Sequence, residues 1–229
     1  MSGLEVSEAT DLLLYYCAQM EAQHGYETPI SGSSREQTRS VLRPYAVWVV
    51  ISPFNFPLAL PAGMIAGALL GGNTVVFKPA SATPTSGLRL HEVFHHAGLP
   101  VGVCNYLTGS GEALGAELTT NPGVDGLAFT GSKAAGMEIR SRFTRSFPRS
   151  CLLEMGGKNP AVVMPTADLD AAAEGVMCSA FGLGSQKCSA CSRVYVHEQV
   201  GSPSSICSWP RPAPSPSAIP PRATHFSAR

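Results

Sequence analysis

Charge is scarce in this chain. Only 14% of its 229 residues are Asp, Glu, Lys or Arg, and 16 acids balance 16 bases. A neutral chain has no long-range field to steer it onto nucleic acid or an anionic membrane, so neither is an expected partner. The one local excess of base, Arg140, Arg142, Arg145 and Arg149, reads as a solvated helix face rather than a phosphate track. Long apolar runs are also missing. The longest, Leu58 to Leu70, contains Pro61 and is too short to span a bilayer. Leu12 to Leu14 is too short for the core of a signal peptide, and Glu5, Glu8 and Asp11 precede it. Any regular spacing of the seven cysteines is lacking, which fits a reducing compartment better than a disulfide framework. The expectation is a soluble, cytoplasmic protein.

What is present is an apolar content of 44%, enough for a sizeable core. Ser7 to Gln23 has the spacing of an amphipathic helix, with Leu12, Leu13, Tyr16 and Met20 on one stripe. Thr28 to Arg43 is polar and reads as an extended arm. From Tyr45 onward strands and helices alternate. Expected strands are 45–51, 74–77, 103–107, 125–129, 150–153, 161–164 and 193–196. Expected helices are 58–70, 85–96 and 133–145, and one capped by Thr166 or Asp168 that runs to about Ala180. This alternation predicts an α/β fold with a Rossmann-like, mostly parallel sheet covered on both faces.

Several turns in this pattern carry chemistry-bearing side chains. Asn55 sits between Pro53 and Pro57 just after a buried strand, where it reads as a turn residue or as a rigid amide donor. Lys78 closes the next strand, at the edge where open α/β sheets bind ligands. The run Gly109 to Gly115 is a near-miss of a dinucleotide fingerprint, its third glycine one residue late. Thr130-Gly131-Ser132, read as a turn before a helix, offers free amides and a hydroxyl to a phosphate. Glu154, before Gly156-Gly157, reads as a general base or as the partner of an arginine. Cys188 lies between Lys187 and Arg193, with no acid from 175 to 197. An electropositive, partly exposed setting favours the thiolate, the nucleophilic form, although many cysteines are simply core. Cys188-Ser-Ala-Cys191 lacks the second pair that a structural zinc site needs, so no metal is expected.

Taken in order, Pro-Phe-Asn55-Phe-Pro, Val-Val-Phe-Lys78-Pro, Phe129-Thr-Gly131-Ser132, Leu153-Glu154-Met-Gly-Gly-Lys-Asn-Pro and Gly184-Ser-Gln-Lys-Cys188 closely resemble the signature set of the NAD(P)-dependent aldehyde dehydrogenases. The resemblance covers roughly Leu12 to Val200. It implies that Cys188 adds to an aldehyde carbonyl and that Asn55, with the Cys188 amide, forms the oxyanion hole. It further implies that Glu154 activates water against the resulting thioester. Lys78 and Ser81 fall where the family contacts the adenosine ribose, and Gly131 and Ser132 where it contacts pyrophosphate. Many NAD-preferring members carry an acid at the position of Ser81, so the cofactor is NAD or NADP. The run Gln186 to Arg193 is similar to the 1-pyrroline-5-carboxylate dehydrogenase branch, in which Ser189 would help hold a substrate carboxylate. The implied substrate is L-glutamate 5-semialdehyde, in proline catabolism.

The resemblance also divides the chain: residues 1–25 a helix, 26–44 an oligomerisation-like arm, 45–156 a nucleotide-binding domain, 157–200 the start of a catalytic domain. Family members are homo-oligomers about twice this long, and the strand that completes their oligomer has no counterpart here. Residues 201–229 match none of it, and seven of the chain's 19 prolines fall between Pro203 and Pro221. Such a composition reads as a disordered tail. The expectation is therefore a fragment, or the product of a disrupted frame, with an inactive chain that at most binds nucleotide as the alternative to an active enzyme. Ser185 stands where the family has Gly, and must either avoid a positive φ or accept strain.

Overall fold

The computed structural model describes residues 2–32 and 36–201; the expected Pro-rich tail beyond Gly201 lies outside the described residues. The elements run α1 (Ser2–Ala22), β1 (Glu27–Ile30), β2 (Thr38–Val41), β3 (Val47–Ile51), α2 (Ala59–Leu70), β4 (Thr74–Lys78), α3 (Pro84–His96) and β5 (Cys104–Tyr106). They continue as α4 (Gly111–Thr120), β6 (Gly126–Gly131), α5 (Lys133–Phe143), β7 (Ser150–Met155), β8 (Asn159–Val163), α6 (Leu169–Phe181) and β9 (Cys191–Val196). The chain divides into two compact units, one ending at Met155 and one beginning at Gly156.

The first unit is an α/β layer structure. Among the described residues its main sheet has five strands in the order β5-β4-β3-β6-β7, all parallel. The chain builds outward from β3 through β4 to β5, then returns to add β6 and β7 on the other side. The order therefore reverses between β3 and β6, and ligands of open parallel sheets bind at the carboxyl ends beside such a reversal. Alternate residues of the central strands feed opposite faces. Val50, Val75, Phe77 and Ala128 pack with Ala62, Ile65 and Leu90 of α2 and α3. Val49, Leu127 and Phe129 pack with Leu118 and Phe143 from α4 and the end of α5. Cover on both faces explains why β3 carries no polar side.

Helix α2 is held from one side by α1. Leu12 seats over Gly63 and Tyr16 over Gly67, where an added Cβ would lie 3.2 and 3.7 Å from those side chains. Polar side chains brace the amino edge of the sheet. The Asn73 Oδ1 accepts from the amides of Tyr45 and Ala46 at 2.7 and 3.1 Å, and its Nδ2 donates to the Ala68 carbonyl at 2.9 Å. Asp125 accepts from the Val47 amide at 3.0 Å.

Two expectations are corrected. Arg149 is not part of a solvated face. Its guanidinium donates to the carbonyls of Phe143, Asn121, Val124 and Thr119 at 2.7–3.3 Å and lies 3.9 Å from the centre of the Phe143 ring. Sequence periodicity cannot see this, because its partners are main-chain carbonyls at the ends of α4 and α5 and in the loop before β6. Thr130 and Gly131 belong to β6 rather than to a turn, since the ladder to β7 continues to the pair Gly131–Met155. Within the extended arm β1 and β2 form an antiparallel pair, tied by an Arg39–Glu27 ion pair at 2.5 Å.

In the second unit β8 and β9 pair in parallel across the α6 crossover. Asp168 caps α6, accepting from the amides of Asp170 and Ala171 at 3.0 and 3.1 Å. Among the described residues no helix is long and apolar enough to cross a membrane.

Candidate active site

Six of the residues singled out by sequence lie at or just beyond the carboxyl edge of the main sheet. Asn55 follows β3, half-buried in the loop that leads into α2. Lys78 ends β4, opposite Ile51 of β3. Its side chain is 6% exposed, and its ammonium donates to the Pro79 carbonyl at 3.2 Å. Among the described residues it has no carboxylate in ion-pair range. Burial pulls its pKa below the usual 10.5. A buried cation so poorly served is a candidate ligand contact rather than a stabilising one.

Ser81 bridges two of the edge loops: its hydroxyl donates to the Gly109 carbonyl at 3.2 Å. Ser110 and Ser132 each cap the helix that follows, accepting from the amides of Ala113 and Ala135 at 3.0 and 3.3 Å. Part of the anion-binding capacity expected at α5 is thus used by the Ser132 side chain itself, which leaves the Lys133 and Ala134 amides. Gly131 closes β6, and a Cβ there would meet the Phe129 ring at 2.6 Å. Its lack of a side chain serves packing directly beneath the edge.

Glu154 is exposed on β7, opposite Thr130. It lies on the rim of a mainly apolar cleft of about 620 Å³ whose walls include Trp48, Met64, Thr130, Cys151 and Leu152. Among the described residues of this unit Glu154 forms no ion pair with an arginine, the alternative that the sequence left open.

Cys188 belongs to the second unit. It is half-buried, and the following Ser189 is exposed. A tight turn runs through it, closed by the Ala190 amide donating to the Lys187 carbonyl at 3.2 Å. The Asn159 Nδ2 donates to the Cys188 carbonyl at 3.0 Å, which ties the turn to the start of β8. Gly157 makes this approach possible: a Cβ there would stand 2.9 Å from the Cys188 carbonyl oxygen. The residues just before the turn are left-handed in succession, with φ of 55° at Leu183, 62° at Gly184 and 64° at Ser185. Ser185 therefore takes the strained alternative, and its hydroxyl bonds back to the Ala180 carbonyl. Such a conformation costs a non-glycine residue about 1–2 kcal/mol.

Two contributors escape a reading of motifs. Asn159 is visible only as part of a Gly-Gly-Lys-Asn-Pro string, and its role requires β8 to lie beside the cysteine turn. Glu5, in α1, accepts from the amides of Leu58 and Ala59 at 2.7 and 3.4 Å. No local spacing links residues so far apart. Among the described residues no group of three or more His, Cys, Asp or Glu is placed to hold a metal ion.

Residues 1–203 match the model of the aldehyde dehydrogenase family. The 1-pyrroline-5-carboxylate dehydrogenase of Bacillus cytotoxicus is 43% identical over 202 residues, covering 86% of this chain and 39% of that protein. Among solved structures, proline utilization A from Bdellovibrio bacteriovorus superposes with a TM-score of 0.80 at 40% identity, over 86% of this chain and 21% of that one. The NADP-dependent glyceraldehyde-3-phosphate dehydrogenase of Bacillus halodurans, solved in complex with NADP, gives 0.75 at 35% identity, over 86% and 41%. The chain thus spans 39% of the length of the curated relative it matches. On the residues matched, the sheet order and these likenesses, the chain belongs to the aldehyde dehydrogenase family.

Proposed function

We propose that this chain carries the nucleophile and nucleotide-binding half of an NAD(P)-dependent aldehyde dehydrogenase acting on L-glutamate 5-semialdehyde. The observation that supports it most is the gathering of Asn55, Lys78, Ser81, Gly131, Ser132 and Glu154 at the carboxyl edge on both sides of the strand-order reversal. The residues present fit a dinucleotide. The buried Lys78 ammonium, in want of partners, suits ribose hydroxyls, and the amino end of α5 at Ser132 suits pyrophosphate. When bound, the nicotinamide supplies the acceptor for hydride.

In this reading the Cys188 thiolate attacks the aldehyde carbonyl to form a thiohemiacetal. The Asn55 amide and the Cys188 main-chain N–H stabilise its oxyanion. One such donor is typically worth about 10²–10³ in rate. Loss of hydride from the adduct carbon leaves a thioester on Cys188. Glu154 takes a proton from water, the hydroxide adds to the thioester carbonyl, and the carboxylate leaves with the thiolate restored. Splitting the oxidation at a thioester lowers both barriers. In this reading Ser189, exposed beside the nucleophile, meets the substrate carboxylate. The semialdehyde is favoured by the names of the relatives at 43% identity. Ser81 presents a neutral hydroxyl at the ribose position, compatible with NAD or NADP. The arm β1–β2 is proposed as an association element.

The test mixes the purified chain with semialdehyde and NAD or NADP and follows nicotinamide reduction. Turnover abolished by Cys188→Ala supports the reading. A second reading, nucleotide binding without turnover, is favoured because Lys78, Ser81, Gly131 and Ser132 all belong to the first unit and Cys188 to the second. Saturable nucleotide quenching of tryptophan fluorescence with no reduction would select it.

A further inference from the structure

Helix α2 starts without a local cap. Its N-cap residue is Leu58, which offers no acceptor, and its first turn holds no acid. The orphan amides of an apolar helix end need a partner. Here Glu5 of α1 supplies it, with one carboxylate oxygen 2.7 Å from the Leu58 amide and 3.4 Å from that of Ala59. The contacts Glu5–Leu58, Leu12–Gly63 and Tyr16–Gly67 advance together along both chains, so α1 and α2 run parallel. Their positive ends then lie side by side, and the Glu5 charge offsets both. The capped joint is three residues beyond Asn55 and adjoins Pro57, whose ring limits how far the loop can flex.

We propose that Glu5 is a positioning residue that fixes the Asn55 loop by capping α2 from α1. This rests on the reading of Asn55 as the oxyanion donor. A donor displaced by about 1 Å loses much of its effect, so the anchor of its loop influences the rate without touching substrate.

The test uses the full chain with Glu5→Ala, Glu5→Gln, Asn55→Ala and the double variant Glu5→Ala/Asn55→Ala. Packing of Leu12 and Tyr16 keeps α1 in place when Glu5 is replaced. Hydrogen exchange reads the loop without any need for turnover. Glu5→Ala should speed exchange of the Leu58 and Ala59 amides and of residues 54–56 by about fivefold to tenfold, the size of a lost cap. Exchange at Leu127 and Ala128 in the sheet core should not change. Glu5→Gln, which keeps an acceptor oxygen, should restore slow exchange. In aldehyde oxidation Glu5→Ala should lower kcat with KM unchanged, and should have no further effect once Asn55 is Ala.

Unchanged exchange at 54–59 in Glu5→Ala overturns the proposal, as does an equal fall in kcat with and without Asn55. If exchange speeds up while Asn55→Ala leaves turnover intact, the oxyanion role of Asn55 fails and Glu5 stands as the anchor of the loop.

Discussion

Lys78 should be a burden to the free protein. Its side chain is 6% exposed, its ammonium has the Pro79 carbonyl as hydrogen-bond partner, and burial lowers its pKa from 10.5. Methionine fills a similar volume with no charge to desolvate. Replacing a poorly compensated buried charge by an apolar side chain of like size stabilises by about 1 kcal/mol. For a unit of this size that is a rise of roughly 3 °C in melting temperature. The direction with pH follows from proton binding. The unfolded chain holds the Lys78 proton up to its ordinary pKa, while the folded chain releases it earlier. Stability of the wild type therefore rises with pH between the lowered value and 10.5, and the advantage of Lys78→Met shrinks over the same window. Thermal melts of both proteins from neutral pH to 10.5, with and without NAD, read this directly. If Lys78 contacts the ribose as proposed, NAD should stabilise the wild type more than the variant, since a ligand raises the melting point by its affinity for the native state. A variant less stable than wild type without nucleotide, or a gap that stays constant as pH rises, would refute the reasoning.

Other consequences are equally concrete. Gly157→Ala places a Cβ 2.9 Å from the Cys188 carbonyl and 2.7 Å from the Asn159 amide oxygen. Alkylation of Cys188 by iodoacetamide, followed by peptide mass mapping, should change in rate by severalfold while Cys17 alkylation does not. Arg149→Met leaves four carbonyls without their donor; urea denaturation should show a loss of about 3 kcal/mol. Burial pushes the Cys104 thiol from 9.0 up to about 11, so the unfolded chain ionises first. Stability from this group is full below pH 9.0 and falls as pH rises to about 11, and Cys104→Ala should remove that part of the decline.

The β-α rhythm was legible because a sheet buried on both faces needs continuous apolar strands, as in Val47 to Ile51 and Thr74 to Phe77. The strand ends near Asn55, Lys78 and Ser132 were legible because Pro, Gly and Ser punctuate strand ends in ways that local rules capture. Arg149, Glu5 and Asn159 were not, because each acts on main-chain groups brought near only by the fold. The limit of β6 was misjudged because glycine signals a turn locally, whereas the register with β7 carries Gly131 into the ladder. For Ser185 local rules leave two backbones open, and the fold of the cysteine turn selects the left-handed one, with φ of 64°.

On the proposed mechanism the aldehyde carbon becomes covalently attached to the sulfur of Cys188 and is oxidised there. The direct measurement is peptide mass mapping after the chain is mixed with semialdehyde and NAD, and quenched in acid. Glu154→Gln, which removes the carboxylate proposed to activate water, should accumulate an acyl thioester on the Cys188 peptide, matched by an equal amount of reduced nicotinamide. Acylation at another cysteine, or reduced nicotinamide formed equally by Cys188→Ala, would contradict it.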